Sequence, residues 1–139
     1  MHNTPFTHEA IHLEGKRKLV YTAFSKHYFY FRMYISQHVL AAHKVPINPF
    51  MLFDYFLLDT IDRDTVRDAN NSVLLRSDEM WVFGPISNGV LAEILLAHKA
   101  HIPISYFKID KSITPLSTEH LELEEEVERF RSLLVSCQT

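Results

Sequence analysis

One carboxylate stands out for where it sits. Glu93 lies in the run Asp78–Ala97, DEMWVFGPISNGVLAEILLA, among Leu91, Ala92, Ile94, Leu95 and Leu96. A segment this apolar is buried on most sides, and a buried carboxylate needs a partner or a chemical purpose. The segment that carries it reads as strand, tight turn and helix. Met80–Phe83 is a short apolar run that suits a strand, and Gly84–Pro85 stops it. Ser87–Asn88–Gly89 forms a capping turn, and from Val90 apolar residues recur at helical spacing. A strand followed by a helix N-terminus presents backbone N–H groups to an anion. Ser87, Asn88 and Gly89 are therefore candidate binding residues.

Other chemistries lack their residues. With three glycines there is no GxGxxG and no GxxxxGK[ST]. Nine histidines are present, but none stands in HExxH spacing, and His98 and His101 have no cysteine nearby. Neither a metal nor a cofactor is expected. The single cysteine, Cys137, excludes an internal disulfide and fits a reducing compartment. A net charge of −3 gives no general attraction to nucleic acid. The absence of a long apolar run and the polar start MHNTPFTHEAIH point away from a membrane span or signal peptide. A cytoplasmic location is expected.

The elements that must position Glu93 follow from patterning. Residues Met1–Arg17 have no clear period and read as an arm before a single domain, residues 18–139. Lys18–Ala23 is a first strand with a continuously apolar centre. A helix is expected over about Lys26–His43, with more aromatic residues (Tyr28, Phe29, Tyr30, Phe31, Tyr34) than one face needs. Val45–Asn48 is a second strand, and Phe50–Leu58, with Asp54 its one charge, a short helix or lid. Asp62–Arg76 is an amphipathic helix with Val66, Ala69, Val73 and Leu74 as its apolar stripe, Asn70 beside it, and Asp62 and Asp64 opposing the helix dipole. Pro103–Ile109 is a further strand. A last helix is expected from Ser117 to about Leu134, with Glu122–Glu128 as its solvated face. Strands alternating with helices give an α/β domain with a mainly parallel sheet, whose ligands bind at the carboxyl ends of the strands. The ends of the first and third strands lie at Tyr21–His27 and Gly84–Glu93.

There the sequence resembles a family. Asp78–Ala97 is similar to the nucleoside 2-deoxyribosyltransferase superfamily, which includes the 2′-deoxynucleoside 5′-monophosphate N-glycosidases. The shared element is a strand followed by G-x-x-x-E, here Gly89–Glu93, with Ser87 six residues before the glutamate. Tyr21, Ser25 and His27 match the spacing of the family's first strand and loop, with histidine in place of arginine. The resemblance covers roughly Lys18–Phe107. It implies a three-layer Rossmann-like or flavodoxin-like domain with four to five strands. It also implies cleavage or exchange of an N-glycosidic bond in a nucleoside or nucleoside 5′-monophosphate. Glu93 is then the nucleophile, Tyr21 its holder, and Ser25, His27 and Ser87–Gly89 the phosphate or sugar contacts. Two departures stand out. The family's proton-handling aspartate aligns with Asn70, so either Asp68, with Asp64 nearby, substitutes as the acid or the step is lost. Phe24, Tyr28 and Phe29 crowd a loop that is glycine-rich in the family. A nucleotide-binding module without turnover is the rival expectation. An assembly protein built on the aromatic helix is a third. Under each, a homo-oligomer (dimer or higher) is expected.

Overall fold

In the computed structural model, residues 5–13, 15–53, 57 and 60–137 are described. Five strands form one sheet: β1 (Leu19–Phe24), β2 (Val45–Ile47), β3 (Glu79–Phe83), β4 (Ile104–Ile109) and β5 (Ile113–Pro115). Their order is β2-β1-β3-β4-β5, with β1–β4 parallel and β5 antiparallel to β4. The helices are α1 (Arg32–Ala41), α2 (Pro49–Leu52), α3 (Arg63–Leu74), α4 (Asn88–Lys99) and α5 (Arg131–Ser136). Helices cover both faces, which makes this a three-layer α/β domain of the Rossmann/flavodoxin-like kind.

Each inner strand alternates between two cores. Val20, Phe24, Trp81, Phe83 and Phe107 pack with Ile35 and Val39 of α1 on one face. Tyr21, Ala23, Met80, Val82 and Tyr106 pack on the other with Leu74 of α3 and Val90, Leu91, Ile94 and Ala97 of α4. Because successive side chains on a strand point to opposite faces, Tyr21 is delivered to the α4 side. Caps set where the helices begin: Asp62 accepts from the Thr65 N–H at 3.2 Å, and Ser87 from the Val90 N–H at 3.3 Å. Gly84, between β3 and α4, has φ +74°, which a side chain would strain.

Several expectations need correction. The helix expected from Lys26 begins instead as a 3₁₀ turn, Lys26–Phe31, interrupted at Tyr28, and α1 starts only at Arg32. Ser25 caps this turn through the His27 N–H, and the Phe29 and Phe50 rings meet edge-to-face at 5.7 Å. The aromatic surplus thus splits between packing here and exposure at Tyr30 and Tyr34.

The long C-terminal helix is absent. A short turn at Thr118–His120 leads to an extended segment, then a 3₁₀ stretch at Glu125–Phe130 and finally α5. Ile86 donates to Glu122 and accepts from Glu124, each at 2.9 Å, so a parallel bridge captures Leu123. Leu121-Glu122-Leu123-Glu124 alternates with period two, which suits this extended pairing better than a helix. β5 adds a short antiparallel strand beyond those that the patterning predicts. The start of the Phe50–Leu58 segment is helical, as part of α2, and Asp54 lies outside the described residues. The described arm residues before β1, 5–13 and 15–18, are exposed, with one turn at Glu9–His12.

Candidate active site

The strand order reverses between β1 and β3, and a crevice opens at such a switch point beyond the carboxyl ends of the strands. Here it is a cleft with two recesses that share Phe24, Phe50, Val66, Asn70, Gly89 and Glu93 among their walls. The first, of about 270 Å³, is mainly apolar: Ala23, Pro49 and Phe53 complete its wall, and Asn71 adds a second amide. The second, of about 380 Å³, is polar, with Ser25, Lys26, His27, Arg63, Ser87 and Asn88. Arg67 borders both. Glu124 and Glu126 also line the second recess, so its charge is mixed.

Glu93 stands on the boundary. Its carboxylate accepts a hydrogen bond from the hydroxyl of Tyr21, which β1 holds fully buried. The residue keeps some contact with solvent, yet burial dominates its protonation: it pushes the carboxyl up to about 7, with the Tyr21 bond pulling in the opposite direction. The helix dipole, which favours a charged carboxylate in a first turn, does not offset this. Glu93 is the sixth residue of α4, beyond the first turn where the dipole acts. Burial, with the neighbouring Glu93 charge and their hydrogen bond, raises the Tyr21 phenol far above its ordinary value, so it remains a donor at physiological pH.

The sequence-predicted residues divide clearly. Tyr21 and Glu93 meet directly, and Ser25, His27, Asn70, Ser87, Asn88 and Gly89 border the cleft. The Ser25 hydroxyl lies 3.2 Å from His27 Nδ1, which is 2.9 Å from a Glu124 carboxylate oxygen. Asp68 does not reach the site. It is exposed and lines neither recess. Two residues separate it from Asn70, which on a helix is about 200° of rotation, so the two face opposite ways. Asn70 has an oxygen, Oδ1, that is out of contact with solvent and has no hydrogen-bond partner among the described residues.

Sequence reasoning missed Arg63, Arg67, Glu124 and the aromatic wall of Phe24 and Phe50, whose rings lie 5.0 Å apart. The i, i+4 spacing of the two arginines was the one available signal. Among the described residues no group of three His, Cys, Asp or Glu side chains is gathered as a metal ion would require, and no helix is long and apolar enough to cross a membrane.

The fold and cleft define a class: an α/β domain with a ligand crevice at its topological switch point, furnished with a largely buried carboxylate. Residues 22–107, more than half of the chain, match the family described as a domain of unknown function (DUF7768), and the chain belongs to that family. Ser25, Asn70 and Glu93 fall inside the match, while Tyr21 precedes it by one residue. No curated protein matches the sequence.

Proposed function

We propose that this chain cleaves or exchanges the N-glycosidic bond of a nucleoside or (deoxy)nucleoside 5′-monophosphate, with Glu93 as nucleophile. The observation that carries the reading is the position of the Tyr21-held carboxylate between a mainly apolar recess and a polar one, both walled by Phe24 and Phe50. A nucleotide has the same layout: a flat base, a sugar carbon at the reacting centre, and an anionic end. The spacing of Tyr21, Ser25, Ser87, Gly89 and Glu93, similar to the deoxyribosyltransferases, supports it further.

In this mechanism ionised Glu93 attacks the anomeric carbon, and the electron pair of the C–N bond leaves with the base. The glycosyl ester formed on Glu93 is then released by water or by a second base. Tyr21 orients the attacking carboxylate. Ser25, Ser87 and the N–H groups at the start of α4 hold the phosphate or sugar hydroxyl, with Lys26, Arg63 and Arg67 as cationic support. Association into a dimer or higher oligomer belongs to the same proposal, supported by exposed Tyr30, Met33, Tyr34 and Leu40. Sedimentation would measure it. Incubating the purified protein with a panel of nucleosides and nucleotides, and separating free base by chromatography, tests the chemistry. Base release that disappears in Glu93→Ala is the expected result; no release from any substrate, or release undiminished in the variant, overturns it.

One observation favours a second reading. Asn70 cannot transfer a proton and Asp68 faces away, so among the described residues the first recess has no carboxyl besides Glu93 to assist a departing base. A nucleotide-binding protein without turnover fits this. Calorimetric binding with no product after long incubation would decide for it.

A further inference from the structure

The polar recess contains a carboxylate that the proposed mechanism does not use. Glu124 and Glu126 line this recess and not the apolar one, so they face the end of a bound nucleotide that lies beyond the sugar from the base. Glu124 is held there from two sides. Its backbone N–H donates to the Ile86 carbonyl at 2.9 Å, and Leu121 and Val127, buried in the core, anchor the chain before and after it. Its carboxylate oxygen lies 2.9 Å from His27 Nδ1, and the side chain is only 17% exposed. His27 is therefore already engaged by an anion of the protein itself.

A 5′-phosphate brings about two negative charges near pH 7 and oxygens that accept hydrogen bonds. An ionised carboxylate likewise only accepts. Between the two there is no hydrogen bond to make, and like charges lie side by side. Cations do not outnumber the carboxylates: Lys26, Arg63 and Arg67 line the recess with Glu93, Glu124 and Glu126, and Arg67 is bonded to Asp64 at 3.2 Å. A sugar hydroxyl carries no charge and has the proton that a carboxylate accepts. We infer that Glu124 makes the site select a nucleoside, whose free 5′-hydroxyl donates to this carboxylate, over the corresponding 5′-monophosphate. The inference rests on the glycosidase reading above and narrows its substrate class.

The test is calorimetric titration of the full chain with the four common 2′-deoxynucleosides and their 5′-monophosphates, compared as matched pairs, in wild type, Glu124→Gln and Glu122→Gln. In wild type the nucleoside of any pair that binds should bind about tenfold or more tightly than its monophosphate. Glu124→Gln should tighten monophosphate binding by about the same factor, and change nucleoside binding by less than about threefold because the amide oxygen still accepts. Glu122→Gln makes the same charge change on the same segment, outside both recesses, and should leave the ratio as in wild type. Glu124→Ala, read by the same ratio, serves if the glutamine protein melts early. Equal affinities or a preference for the monophosphate in wild type, a nucleoside preference that survives in the Glu124 variants, or an equal response in Glu122→Gln overturns the inference. Base release is scored in parallel. Release from monophosphates at least as fast as from nucleosides sinks the role of Glu124 and spares the glycosidase reading. A nucleoside preference without release does the reverse. Binding of no member of any pair overturns both.

Discussion

The two faces of the sheet are built from the same strands and used in opposite ways. On the α1 face, β3 and β4 present Trp81, Phe83 and Phe107, with Phe83 stacked on Phe107 at 5.0 Å and Trp81 tilted against it at 4.9 Å. His38 of α1 packs its ring edge-on to all three, and burial lowers its pKa, which keeps it neutral there. The centre of this face is filled, and a recess of about 720 Å³ opens only at its edge, between α1 and the β4–β5 turn. On the α4 face, β1 presents Tyr21 and then Ala23, and the small alanine side chain forms part of the cleft wall. Close packing of large rings leaves no room for a ligand; a small residue at the carboxyl end of a central strand does. The difference separates the part of the molecule that holds the fold from the part available for chemistry.

Substitutions can break this division or sharpen it. The largest expected effect is on the cleft side: Glu93→Ala should lower base release by about 10³-fold or more, measured by chromatography, with the fold intact by circular dichroism. On the filled face, Phe83→Ala should cost about 3–5 kcal/mol in urea unfolding, because a fully buried ring is replaced by a cavity. Loss of less than about 1 kcal/mol would show that this face is not the structural one.

The third prediction concerns protonation. The native state binds the Glu93 proton more tightly than the unfolded chain does, so this group's contribution to stability falls as pH rises from about 4.5 to about 7. Glu93→Gln cannot titrate, and its melting temperature should gain on wild type by a few degrees above pH 7 and not below pH 4.5. In the same way, activity that needs the carboxylate should rise with pH through about 7. Tyr21→Phe removes the bond that lowers the Glu93 pKa and should move that limb upward. The smallest effect is at the rim. His27 and Glu124 form a pair in which the histidine side chain is 65% exposed, so His27→Gln should change stability by at most about 1 kcal/mol.

How far the sequence was readable varied with the kind of force involved. The central strands, α3, α4 and their caps at Asp62 and Ser87 are local patterns, and they appear within a residue or two of where the periodicity places them. The C-terminal segment misled because its glutamates suggested a helix, whereas backbone pairing with Ile86 sets its course. Tyr21 and Glu93 were legible as candidates, and their contact across 72 residues of chain links them in space. Asp68 illustrates the limit: two residues of spacing decided between cleft and solvent.

What the sequence determined by itself was the alternation of strands and helices, the turn that starts α4, and the presence of one carboxylate in apolar company. These depend on neighbours along the chain, and local periodicity and capping record them directly. The tertiary structure alone decided that burial pushes the Glu93 carboxyl up to about 7, that Phe24 and Phe50 wall both recesses while Arg63 and Lys26 border only the polar one, and that the Asn70 oxygen has no partner among the described residues. Desolvation and hydrogen-bond satisfaction depend on groups brought together from distant parts of the chain, as His27 and Glu124 are across 97 residues, and no local pattern encodes them.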